Sequence, residues 1–152
     1  MTEIWFYHLQ NQPLARALPT LVEKAIERGW RVAIQTAEES SLKGLDDLLW
    51  TYAPESFLAH GLASDPDCER QPVILTHEAG NPNGAALRIY AGQAEVDLDP
   101  ATSPYQRAIL LFDGRVEAEV LAARTQWSKL KAQGFTLAYW QQSEDGRWER
   151  KI

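Results

Sequence analysis

Cysteine is almost missing from this chain. Cys68 is the only one among 152 residues, so neither an internal disulfide nor a multi-thiolate zinc site can be built. A reducing compartment fits that usage. No stretch approaches the roughly 20 consecutive apolar residues of a membrane-spanning helix. The opening residues, Met1 to Phe6, lack the basic start and apolar core of a secretory signal, and the cytoplasm is the expected location. Phosphate loops are absent too: the first strand leads into Leu9-Gln10-Asn11-Gln12-Pro13, and neither G-x-G-x-x-G nor G-x-x-x-x-G-K-[ST] occurs, which argues against the usual dinucleotide and NTP sites. His8, His60 and His77 stand far apart, with none at the i, i+4 spacing that presents two imidazoles to one metal. No metal and no cofactor are expected.

Basic charge is also in short supply. A formal charge of −6 opposes sequence-independent DNA binding, which needs a net basic surface to neutralise phosphates, so contact with DNA is expected only indirectly. The cations that exist are bunched. Residues 124–152 hold six Lys/Arg against three Asp/Glu, whereas residues 1–123 hold nine against eighteen.

What is present reads as one domain, 1–152, long enough to bury about two thirds of its unfolded surface. Glu3 to His8 is short, aromatic and β-branched, as strands are. Leu14, Leu18, Leu21, Val22, Ala25 and Ile26 keep a helical period up to Gly29, and Pro19 inside that period predicts a kink or a shifted start. Arg31 to Gln35 resumes as strand, and Glu39 to Leu49 as helix with Leu42, Leu45, Leu48 and Leu49 inward. This alternation predicts an α/β fold with a central mixed sheet and parallel first strands. Shorter strands follow at Ser56–Ala59, Val73–Thr76, Leu87–Tyr90 and Ile109–Phe112, with a turn at Asn81-Pro82-Asn83-Gly84. Asp113 is the expected cap of a last helix running through Gln133, after which Phe135–Trp140 and a turn at Glu144–Arg147 make a closing hairpin.

Catalytic candidates are weak. Ser56 lacks a nucleophile elbow, and Cys68 lies among carboxylates that raise a thiol's pKa. His77 and Glu78, adjacent at a strand end, should point apart. Asp46 and Asp47 read as a solvated helix face. The last helix says more, because Arg124, Ser128 and Lys131 share one stripe, with Trp127 and Lys129 nearby. That is a small cationic and aromatic platform, or an ordinary exposed face whose Trp127 turns into the core.

The run Leu45-Asp46-Asp47-Leu48-Leu49-Trp50, continued by Pro54-Glu55-Ser56-Phe57-Leu58-Ala59-His60, resembles the chi subunit family of DNA polymerase III. The opening strand, Arg28-Gly29-x-Arg31-Val32 and Gly134-Phe135 are similar to the same family. The resemblance implies a Rossmann-like three-layer α/β fold and no catalytic site. It implies a role in DNA replication, linking the clamp loader, through a psi subunit, to single-stranded-DNA-binding protein by its acidic C-terminal tail. That tail ends in Pro-Phe preceded by aspartates. By position, the implied tail-binding residues are Trp50, Phe57, Arg124, Trp127 and Tyr139. Where better-known members have lysine this chain has Ser128, leaving Lys129 or Lys131 to supply the charge. The alternative is a nucleotide-responsive or enzymatic α/β domain, since a fold does not determine a function.

Overall fold

Strand β1, Glu3–Leu9, is apolar along nearly its whole length because both of its faces are covered. Trp5, Tyr7 and Leu9 point to one side, and Ile4 and Phe6 to the other. The computed structural model describes residues 2–10, 13–51, 60–91, 94–145 and 147–152. Helix α1, Leu14–Glu27, runs through Pro19 without a later start, and Gly29 takes φ +81° behind it, a conformation that favours glycine. Strand β2, Val32–Gln35, follows.

A single 3₁₀ turn, Glu39–Ser41, leads into helix α2, Leu42–Thr51, so the second predicted helix divides at its first turn. Leu42, Leu45 and Leu49 are buried, and Leu48 is partly so. Then come β3 (Gly61–Leu62), β4 (Val73–Thr76), β5 (Leu87–Tyr90) and β6 (Arg107–Asp113). The predicted strand at Ser56–Ala59 lies outside the described residues. Helix α3, Glu117–Ala132, precedes β7 (Thr136–Gln142) and β8 (Trp148–Arg150). Asp113 does not cap α3. Its carboxylate instead accepts from the Arg115 backbone N–H at 2.9 Å, and the helix begins only after Val116.

Among the described residues these strands form one mixed sheet in the order β3-β4-β2-β5-β6-β1-β7-β8. Every pairing is parallel except β7–β8, the closing hairpin. The first two strands are parallel in direction but not neighbours, because β5 and β6 lie between them. Helices α1 and α2 cover one face, where their leucines meet Ile34, Leu75, Ile89 and Leu111. Helix α3 covers the other through Ala123 and Leu130, packed on Phe6, Leu110 and Phe112. Helices on both faces of a largely parallel sheet make the three-layer, Rossmann-like α/β architecture.

Candidate functional site

Helix α3 leaves a groove against β7. Val120, Arg124, Trp127 and Ser128 from the helix, Tyr139 from β7 and Ile152 enclose about 360 Å³. Helical spacing explains the assembly, since residues 120, 124, 127, 128 and 131 fall on one side of a helix. Trp127 is half-buried, with its ring edge-on to Phe6 at 5.1 Å and to Tyr139 at 5.9 Å. It therefore belongs to the core and to the groove wall together. The backbone N–H of Lys151 donates to the Tyr139 carbonyl at 2.8 Å, which carries the strand beyond β8 along Tyr139 and sets Ile152 at the rim.

Beneath this wall lies His8, weighed from the sequence only as a metal ligand and not as part of this groove. His8 Nδ1 is 2.6 Å from the Tyr139 hydroxyl, and the ring packs 5.1 Å from that of Phe112. Burial, then the nearby Arg124 charge, holds the imidazole below its ordinary value. Burial pushes the Tyr139 phenol up, with Arg124 opposing. Strand alternation was the available signal, because it sets His8 on the same face as Ile4 and Phe6. Chemically the groove offers an apolar floor, an exposed guanidinium and a phenol, a set suited to an acidic peptide with an aromatic side chain.

The structure joins only some of the residues expected to act together. Arg124, Trp127 and Tyr139 share the groove. Lys131 is exposed on the Arg124 stripe, whereas Lys129 is five positions on from Arg124 and so about 140° around the helix. Trp50 lies elsewhere, on α2 and hence across the sheet from Trp127, 48% exposed, with its ring 4.6 Å from that of His60. Phe57 falls outside the described residues. Asp46 is no bystander on a solvated face, for its carboxylate bonds the buried His60 Nε2 at 2.8 Å. Likewise His77 and Glu78 do not diverge but meet at 3.5 Å.

Open α/β sheets hold ligands where successive crossovers leave on opposite faces, here between β1 and β6. That crevice is lined by Glu38, Asp113 and Glu119, and Arg115 holds the Asp113 carboxyl below its usual range. A polyphosphate placed there would meet negative charge.

A mixed, largely parallel sheet between helices, with a groove that joins Arg124 to Trp127 and Tyr139 and with carboxylates at its switch point, defines a three-layer α/β protein. Residues 1–138 match the family "DNA polymerase III chi subunit, HolC", and the chain belongs to that family. It is similar to a probable DNA polymerase III subunit chi of Rickettsia prowazekii, with 29% identity over 63% of this chain and 58% of that protein. It is also similar to the DNA polymerase III subunit chi of Pseudomonas aeruginosa, with 37% identity over 49% of this chain and 54% of that protein. The chain thus spans little more than half the length of the curated relatives it matches. Tyr139, with the rest of β7 and all of β8, lies beyond the matched stretch. No described helix is long and apolar enough to cross a membrane.

Proposed function

We propose that this chain is a non-catalytic accessory subunit of the bacterial replicative polymerase, working in the cytoplasm as one domain. It links the clamp loader to single-stranded-DNA-binding protein by holding that protein's acidic C-terminal tail, and reaches DNA through that partner. The observation that carries the reading is the convergence of Arg124, Trp127 and Tyr139 on one groove. The terminal phenyl ring packs against Trp127 and Tyr139, Arg124 takes the terminal carboxylate, and Lys131 meets the aspartates. A psi subunit is the proposed connection to the clamp loader. An enzymatic or nucleotide-responsive role is disfavoured by the carboxylates at the switch-point crevice.

Titrating a labelled tail peptide with and without its terminal Phe tests this reading. The full peptide should bind, the truncated one should not, and Arg124→Ala should weaken binding at least about thirtyfold, matching a loss of ~2 kcal/mol. Equal binding of both peptides, or an unchanged affinity in folded Arg124→Ala, places the tail elsewhere.

A further inference from the structure

On the face of the sheet away from Arg124, beside the C-terminal end of α1, a second opening of about 390 Å³ is lined by Trp5, Lys24, Glu27, Arg28, Trp30 and Arg107, among others. Two guanidiniums converge there on one indole, with Arg28 Cζ 5.1 Å and Arg107 Cζ 5.3 Å from the Trp30 ring centre. Arg107 also rests on the face of Trp5, its Cζ only 3.6 Å from that ring's centre. Among the described residues Arg107 donates no side-chain hydrogen bond and no carboxylate reaches it, while its Nε is covered by protein.

We propose that this cup, formed by Arg28, Arg107, Trp5 and Trp30, is a binding site for one compact oxyanion, a carboxylate or a phosphate group. A guanidinium lying over a ring spends its face on the aromatic and keeps its in-plane N–H groups, the fork that grips an oxyanion bidentately. Two cations held together and partly withdrawn from water repel one another, and burial followed by the Arg28 charge holds Arg107 below its ordinary value. One anion relieves both penalties at once. Near the end of α1, the helix carbonyls favour these cations, yet they leave the side-chain donors unspent. The site is too small and too closely bracketed by Glu27, on its lining, and by Glu3, whose charge acts on Arg107, to follow a nucleic-acid backbone, and a chain of net charge −6 gives a polyanion no track.

The test uses the indole N–H signals of Trp5 and Trp30 in nitrogen-15-labelled full-length protein, titrated with inorganic phosphate or malonate against chloride at matched ionic strength. Saturable movement of both signals with either oxyanion is expected. Arg107→Lys should weaken it at least about tenfold, because lysine lacks the fork. Arg28→Ala, an exposed position that leaves the fold intact, should weaken it too. The tighter of phosphate and malonate identifies the chemical source. Arg124→Ala should leave these shifts unchanged, which separates this site from the tail groove. Drift no larger than with chloride, or saturation undiminished in Arg107→Lys and Arg28→Ala, overturns the proposal.

Discussion

His8 and Tyr139, 131 residues apart, share a hydrogen bond of 2.6 Å that ties the end of β1 to the wall of the groove. Because burial and Arg124 lower the His8 pKa, the folded protein binds fewer protons than the unfolded chain just below pH 6.5. The stability from this group is complete above 6.5 and falls as pH drops through the depressed folded value. In Arg124→Ala one of the two causes is gone, so the His8 ring protons followed by NMR should titrate at higher pH. An unchanged midpoint would mean that Arg124 does not act on the imidazole.

Salt should separate the cations of the tail groove. Lys131 is exposed at the rim, where ionic screening is strong, so Lys131→Ala should cost less affinity than Arg124→Ala and its effect should fade first as salt rises. Lys129→Ala should cost least of the three, because its side of the helix faces away from the groove. Tail-peptide titrations at low and high salt measure the order, and a larger loss from Lys129 than from Lys131 would contradict the geometry.

Arg88 is 1% exposed, and among the described residues no carboxylate pairs with it. Its charge is met by the Gln35 side chain, which accepts from both Nε and Nη2, and by the Gly80 and Glu78 carbonyls. Gln35→Ala removes the acceptor that two of its nitrogens use, and should destabilise the fold by about 2 kcal/mol in urea unfolding. Oxyanion binding by the native protein should not change.

Two glycines should respond oppositely to alanine. At Gly114 a methyl group would overlap the His8 ring and approach the Leu9 carbonyl at 2.8 Å, so Gly114→Ala should cost about 1–3 kcal/mol and perturb tail binding through Tyr139. At Gly44 an added methyl would meet no other atom of the described residues within 4 Å, so Gly44→Ala in α2 should add about 0.5–1 kcal/mol. Thermal unfolding of the two variants gives the comparison.

Local pattern was enough for much of this molecule. Leucine spacing marked α1 and most of α2, alternating strand and helix marked the layered sheet, and the 45–60 run marked the family, because each signal is carried by residues close together in the chain. The Arg124, Trp127 and Lys131 stripe was legible for the same reason, as helical geometry alone sets it. Other features depend on contacts between distant segments. That β1 and β2 are separated by β5 and β6 follows from pairings between strands far apart in the chain, which no single crossover specifies. Trp50 and Trp127 carry equal aromatic character in sequence, yet packing of α2 and α3 on opposite faces separates them. Asp46 gained a partner only when His60 folded back beneath α2. His8 under Tyr139, and Arg107 on Trp5, likewise came from the register of β1 with β7 and β6, which only the assembled sheet sets.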